Sequence, residues 1–110
     1  MKVRLIKKKS IEDFAVQQAR SRSSLRLWLT FLNMADWTKP EDITKTFGSA
    51  DLLGNGSDRV VFDIAGNHFR MICKYHFGVT MVHLFIKWIG THAEYTKLCN
   101  DNKQYTVNSY

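Results

Sequence analysis

The stretch from Arg59 to Tyr95 constrains the fold of this chain more than any other part of the sequence. It contains three runs rich in β-branched and aromatic residues that alternate between apolar and polar side chains. The runs are 60–65, 68–77 and 80–89. Gly66-Asn67 and Gly78-Val79 separate the runs, and two-residue spacers of this kind close β-hairpins. The stretch therefore predicts three antiparallel strands joined by two tight turns.

The two turns decide which residues face one another across the strands. Asp63 is expected opposite Arg70, Arg59 opposite Lys74, and Lys74 opposite His83 on its other side. Side chains alternate between the two faces of a strand, so one face is predicted to be apolar and the other charged. The predicted apolar face carries Val60, Phe62, Ile64, Phe69, Met71, Cys73, Leu84, Ile86 and Trp88. The predicted charged face carries Arg59, Asp63, Arg70, Lys74, His83 and Lys87, with Val61, Ile72 and Phe85 between them.

The second turn also places Arg70 opposite Lys87. Directly opposed like charges destabilise a sheet by a few tenths to about 1 kcal/mol, so this pair requires a physical reason. A bound anion between the two cations is one reason. The other is that Asp63 neutralises Arg70 across the first hairpin while Lys87 reaches solvent. The sequence leaves both interpretations open.

The residues after the third run predict the start of a helix. Gly90 breaks the alternation, and Thr91 with Glu94 forms the pattern of a capping box. His92 then lies in the first helical turn and Tyr95 lies three residues further on, on a neighbouring position of the helix surface. A helix N-terminus attracts phosphate and favours a neutral imidazole, so His92 is a candidate proton acceptor beside an anion site.

Two blocks of this stretch resemble the HigB branch of the RelE-type toxins, which are small ribosome-dependent endoribonucleases of bacterial toxin-antitoxin pairs. The blocks are VFDIAGNHFRMI and IKWIGTHAEYTKL. The matching positions are Gly66, Asn67, Arg70, Ile86, Lys87, Thr91, His92, Glu94 and Tyr95. The resemblance is strong over the C-terminal half of the chain, and the first half matches only in its order of elements.

The remaining segments predict a single α+β domain over residues 1–110. Helical spacing and a capping-box pattern at Ser10 and Asp13 predict a helix that runs to about Arg20. The other predicted segments are a strand at 3–6, a helix at 24–36, a helical turn from Pro40 to Phe47, a glycine-rich loop at 48–58 and a polar tail at 100–110. This order is what a RelE-like fold implies: an N-terminal strand and two helices packed on one face of a mostly antiparallel sheet, a short C-terminal helix, and an opposite face free to take RNA.

Charge and cysteine content narrow the functional class. The first 26 residues hold eight basic and two acidic residues, whereas the other 84 hold eight of each sign. Such a segment favours a polyanion such as RNA, although a basic solvated surface or an acidic protein partner fits it too. Two cysteines are too few for a disulfide framework, and no run resembles a signal sequence or a membrane span, so we expect a soluble cytoplasmic protein.

The resemblance implies cleavage of mRNA on the ribosome, with the ribose 2′-hydroxyl as nucleophile and with no cofactor. No zinc-type spacing of Cys and His is present, so we predict no metal site. His92 is the leading general base or acid, and Tyr95 is a stacking surface or a proton donor. Arg70 and Lys87 are the expected phosphate clamp. The expected RNA-binding residues are Lys74, Arg59, His83 and Asn67.

The resemblance also implies a HigA-type antitoxin as partner, usually a helix-turn-helix DNA-binding protein, together with the ribosome and mRNA. Two alternatives from other functional classes stay open. The chain could be an RNA-binding module without catalysis, which binds through its basic N-terminal segment and sheet face. It could also be a toxin of the same fold that acts on a protein target such as gyrase.

Overall fold

A computed structural model describes residues 1–110, which form four helices and five strands. In chain order these are β1 (Lys2–Ile6), α1 (Lys8–Gln17), α2 (Arg22–Asn33), α3 (Glu41–Thr46), β2 (Asp51–Leu52), β3 (Arg59–Ile64), β4 (Phe69–Phe77), β5 (Met81–Thr91) and α4 (His92–Asn100), with a short 3-10 turn at Ala19–Ser21. The strands form one sheet in the order β1-β5-β4-β3-β2, in which only β1 and β5 run parallel. The predicted α+β class with a mostly antiparallel sheet is confirmed.

The first hairpin has the predicted register. Its pairs run without interruption from Arg59 opposite Lys74 to Ile64 opposite Phe69. Gly66 adopts a φ of 64°, the left-handed region that a glycine enters without a steric penalty. The glycine-marked turn therefore fixes β3 against β4 as the sequence indicates.

The second turn was predicted one residue too early, which shifts the pairing of β4 with β5 by two residues. The amide of Gly78 donates to the carbonyl of Met81 at 2.9 Å, so Val79 and Thr80 occupy the turn. A Cβ at Gly78 would lie 2.9 Å from that same carbonyl oxygen. Glycine is required here because a Cβ would not fit between the two backbone segments. The backbone conformation is not the reason, since the φ of Gly78 is not positive.

This shift changes the partners along β4 and β5. Lys74 faces Phe85 and not His83. A bulge then interrupts the pairing, since Cys73 faces Ile86 but the preceding residue of β4 faces Trp88, which leaves Lys87 without a partner. Beyond the bulge Arg70 faces Gly90, so the predicted opposition of Arg70 and Lys87 is wrong.

The bulge also reverses which residues at the end of β5 face the core. Trp88 pairs with Ile72, a residue of the charged face, and so the prediction that Trp88 lies in the core is wrong. Ile89 takes the core position and is buried there. An extra residue in one strand moves every later side chain to the opposite face, which alternation alone does not reveal.

Helices α1 and α2 pack on the apolar face of the sheet as predicted. Leu25, Trp28 and Leu32 of α2 are buried against strand residues such as Phe62 and Met71. The ring centroids of Trp28 and Phe62 are 5.2 Å apart in an edge-to-face arrangement that adds to the burial. The predicted core stripe of α2 is thereby confirmed.

Several predicted helix ends and loops differ in detail. Helix α1 begins at Lys8 after Lys7, which has a φ of 71°, and Ser10 is buried inside the helix, so the capping box predicted at Ser10 is wrong. The loop predicted at 48–58 contains the two-residue strand β2, which pairs with β3. A two-residue strand is too short to show the alternation of apolar and polar residues by which a strand is identified in a sequence.

The second face of the sheet, which we call the outer face, is covered along part of its length. Val61 and Ile72 point to this face and are buried, and Tyr95 of α4 approaches Trp88 there with ring centroids 6.2 Å apart. Residues 101–110, the C-terminal tail, continue the cover, because Gln104 is buried and accepts a hydrogen bond from the first residue of β3. The outer face is thus free only in part.

None of the helices combines the length and the apolar character that crossing a bilayer requires.

Candidate functional site

The predicted site residues fall into two groups on the outer face. We call the first the turn group, and it consists of Asn67, Arg70, His92 and Tyr95. The second, the basic strip, consists of Arg59, Lys74, His83 and Lys87. Arg70 and Lys74 lie four residues apart on β4, a separation of about 13 Å along an extended strand. The eight residues therefore form two neighbouring clusters and not one.

The capping box at the start of α4 is confirmed. The Thr91 amide donates to Glu94 Oε1 at 2.8 Å, and the Glu94 amide donates to Thr91 Oγ1 at 3.1 Å. The amide of His92 donates to the carbonyl of His68 at 3.0 Å, which ties the start of α4 to the turn between β3 and β4. The His92 side chain is exposed at this junction, and the backbone that carries it is held by these hydrogen bonds.

The Arg70 side chain holds the turn between β3 and β4 through hydrogen bonds and an ion pair. Its Nε lies 3.1 Å from Asp63 Oδ1, which confirms the neutralising pair considered from the sequence. Its terminal nitrogens donate to the Phe69 carbonyl at 3.0 Å, to Asn67 Oδ1 at 3.2 Å and to the Gly66 carbonyl at 3.3 Å. Arg70 is buried, so its main contacts are with the turn itself.

Sequence reasoning missed a contact at the turn that holds the start of α4. Arg20, from the 3-10 turn before α2, donates from Nη1 to Nδ1 of His68 at 3.4 Å. Both side chains are exposed, and His68 is the residue whose carbonyl accepts from His92. Because arginine is always a donor, a neutral His68 in this contact carries its proton on Nε2. No local signal links residues 48 positions apart.

Tyr95 is partly buried against Trp88. Burial, followed by the neighbouring Cys99, raises the pKa of the Tyr95 phenol well above its ordinary value. The phenol therefore stays protonated and can donate a hydrogen bond, but it does not serve as a base near neutral pH. Gly90 leaves room for this arrangement, since a Cβ there would lie 2.5 Å from the Trp88 ring.

Lys87 marks the point where the basic strip meets the tail. Burial lowers the pKa of Lys87, and Arg59, Lys74 and Lys7 lower it further by charge repulsion. Its Nζ donates to Asn108 Oδ1 at 3.3 Å, and the Lys87 carbonyl accepts from the amide of a tail residue at 2.8 Å. A cation that burial and like charges disfavour is well suited to binding an anion.

Arg59 is held by the tail and is not open to solvent. Its Nη1 donates to the Val107 carbonyl at 2.7 Å and to the Gln104 carbonyl at 3.2 Å. Only 6% of Arg59 is exposed, and burial lowers its pKa from the ordinary arginine value. The tail occupies one terminal nitrogen of Arg59, and the expected contact of Arg59 with RNA stays a prediction.

The other two members of the basic strip remain accessible. Lys74 is exposed and makes no ion pair. His83 is partly exposed, and its ring centroid lies 6.3 Å from that of His76 on β4. The strip therefore offers cationic and ring-bearing side chains on the part of the outer face that α4 and the tail leave open.

These features define a small basic α+β domain that presents an imidazole at one end of its sheet and a cationic strip along one face. A family model described as HigB_toxin, the RelE-like toxic component of a toxin-antitoxin system, matches residues 21–98. This chain belongs to that family. The matched region contains the turn group and the basic strip but stops before the tail.

The chain is also similar to a protein of Escherichia coli. It is 28% identical over 94 residues to the mRNA interferase HigB of Escherichia coli O6:H1 (strain CFT073), an alignment that spans 86% of this chain and 89% of that protein. Both proteins are thus comparable over nearly their whole lengths.

Proposed function

We propose that this chain is a ribosome-dependent endoribonuclease that cleaves mRNA and thereby arrests translation and growth. Membership of the HigB toxin family supports the toxin role, and the name of the Escherichia coli relative supports mRNA as the substrate. The observation that carries the catalytic part is the placement of His92. Its exposed ring projects from the N-terminus of α4, where the capping box and the backbone bond to His68 hold the main chain in place.

The reaction that fits this placement is attack by a ribose 2′-hydroxyl on the adjacent phosphorus. His92 takes the hydroxyl proton as the 2′-oxygen forms its bond to phosphorus and the bond from phosphorus to the 5′-oxygen breaks. The proton then returns to the leaving 5′-oxygen. The positive end of α4 favours the negative charge that gathers on the phosphorane during this exchange.

Tyr95 and Arg70 support His92 in different ways. The raised pKa of Tyr95 keeps its phenol protonated, so Tyr95 is proposed to donate a hydrogen bond to the substrate. Arg70, which binds three oxygen atoms of the turn, is proposed to hold Asn67 and its neighbours in position for the phosphate. Positioning by such fixed groups contributes to rate because no reorganisation is needed in the transition state.

The basic strip is proposed to bind the mRNA backbone leading to His92. Lys74 and Lys87 supply the cations, and the ribosome holds the mRNA in an ordered conformation. The partner that restrains this activity is proposed to be a HigA-type antitoxin, a helix-turn-helix protein encoded beside the toxin gene.

Primer extension on mRNA from cells that express the protein tests the proposal. The wild type is expected to stop growth and to produce cuts within codons occupied by ribosomes. His92→Ala is expected to remove the cuts and restore growth, whereas Lys97→Ala, an exposed change on the same helix, is expected to leave both unchanged. Intact mRNA with stalled DNA replication would contradict the proposal in favour of a protein target, and unchanged cutting by His92→Ala would exclude His92 from the chemistry.

A further inference from the structure

Three rings follow one another along the uncovered part of the outer face. His76 and His83 face each other across β4 and β5, with ring centroids 6.3 Å apart and planes tilted by 31°. His83 and Phe85 lie two residues apart on β5, with centroids 6.4 Å apart and the same tilt of 31°. All three rings are at least partly exposed, so their faces are accessible from solvent.

Cationic side chains surround these rings. Arg4 pairs with His83 in the neighbouring strand, and Lys74 pairs with Phe85 from the other side. Lys87 Nζ lies 5.6 Å from the centroid of the Phe85 ring, within the range of a cation–π contact. None of the ion pairs of the chain involves Arg4, Lys74 or Lys87, so these charges have no carboxylate partner.

The packing of the protein does not explain this arrangement. The rings lie on the face opposite α1 and α2, and the aromatic contacts of the core do not include them. Exposed rings interleaved with unpaired cations are the combination by which proteins bind single-stranded nucleic acid, in which bases stack on the rings and phosphates meet the cations.

We propose that His76, His83 and Phe85 form a stacking platform for the unpaired bases of RNA, with Arg4, Lys74 and Lys87 binding the phosphates beside it. The platform rests on the proposed function only in that mRNA is taken as the natural ligand. Single-stranded RNA is favoured over a duplex because a duplex encloses its base faces and offers the rings nothing to stack on. The platform lies apart from His92, so it serves binding and not chemistry.

Binding of a fluorescently labelled ten-nucleotide single-stranded RNA, followed by anisotropy at low salt, tests the platform without any cleavage step. Phe85→Leu keeps an apolar side chain but removes the ring. It is expected to raise the Kd by roughly 5-fold or more, since a stacked base contributes about 1–3 kcal/mol. Phe31→Leu is the matched control, because Phe31 is an exposed ring on α2, on the opposite face of the sheet, and its loss is expected to leave Kd unchanged.

A second ligand separates stacking from charge. An oligomer of the same length with abasic sites keeps the phosphates, so Phe85→Leu and His83→Ala are expected to leave its weaker binding unchanged. Lys74→Ala is expected to weaken the binding of both oligomers. It is also expected to reduce the magnitude of the slope of log K against log salt by about 0.7, as for one lost phosphate contact on a single strand.

Three results would overturn the platform: equal binding of single-stranded RNA by the wild type and Phe85→Leu, equal binding of the normal and abasic oligomers, or no binding of single-stranded RNA by the folded wild type. A different pattern would overturn only the proposed function. In that case RNA binding depends on Phe85 as stated, while the wild type cuts no mRNA on ribosomes.

Discussion

Arg59, at the start of β3, donates hydrogen bonds from one nitrogen to the carbonyl oxygens of Gln104 and Val107, at 3.2 and 2.7 Å. This contact joins residues 45 and 48 positions apart and closes the C-terminal tail over the outer face. A residue whose charge suggested RNA binding is thus part of the structure that limits access to the sheet.

Arg59→Ala is therefore expected to lower the free energy of unfolding by about 2–4 kcal/mol. The substitution removes charge-assisted bonds and leaves buried carbonyl groups without a donor. Urea unfolding measures the effect. Lys74→Ala, a change in the exposed residue that pairs with Arg59, serves as control and is expected to stay within about 0.5 kcal/mol of the wild type. Equal losses for the two variants would contradict a structural role for Arg59.

Asp42 is expected to stabilise the fold in a pH-dependent manner. Hydrogen bonds from the Thr38 amide, and then from the Thr38 hydroxyl and the Lys39 amide, lower the pKa of Asp42 to about 2. Because the folded pKa lies below the unfolded one, the stabilisation is present above about pH 4 and is lost as the pH falls through 2. Asp42→Asn is expected to melt at a lower temperature than the wild type at pH 7. The difference between the two melting temperatures is expected to shrink towards pH 2. A difference that stays constant with pH would argue against this linkage.

Gly90→Ala is expected to destabilise the protein by about 1–3 kcal/mol because it overpacks the contact with Trp88. The added Cβ would lie 2.5 Å from the Trp88 ring and 3.0 Å from Glu94 Oε1, the atom that caps α4. Gly48→Ala is the matched control, since a Cβ at Gly48 has no neighbour within 4 Å. Thermal unfolding of both variants provides the comparison, and a Gly90→Ala protein as stable as the control would show that Trp88 can move without cost.

The contact between Arg20 and His68 is expected to assist the reaction at His92. If the proposed function holds, His68→Ala and Arg20→Ala are each expected to reduce cleavage of ribosome-bound mRNA by roughly 2- to 5-fold, since a contact between exposed side chains contributes about 0.5–1 kcal/mol. The double variant is expected to lose little beyond either single one, because the two side chains act as a pair. Arg22→Ala, an exposed arginine nearby, is the control. Fully additive losses would show that the two residues act separately.

The first hairpin could be predicted from the sequence because local chemistry determines it. Gly66 supplies one of the two positive φ values of the turn, the other being that of Ala65, and alternation from Val60 to Ile64 determines which side chains face the core. The second hairpin could not be predicted in this way. Glycine is needed at position 78 because a Cβ would clash with the backbone, and not because φ is positive there. The bulge that leaves Lys87 unpaired has no counterpart in the alternation, and it alone moves Trp88 to the outer face.

The remaining differences come from contacts between distant parts of the chain. The tail is attached through the carbonyl groups of Gln104 and Val107, which any two residues could supply, so its sequence shows no sign of docking. Arg20 and His68 meet only because the 3-10 turn before α2 lies beside the turn between β3 and β4. By contrast, the capping box that fixes His92 is local, and the sequence predicted it correctly.

Cleavage of a defined mRNA on purified ribosomes, measured with His92→Ala and with Lys97→Ala, tests the central claim most directly. The wild type and Lys97→Ala are expected to cut the message only when ribosomes are present. His92→Ala is expected to cut the message at least about 100-fold more slowly, because a positioned proton acceptor typically supplies at least that factor. Its free energy of unfolding is expected to be unchanged. Cleavage by folded His92→Ala at the wild-type rate would contradict the account.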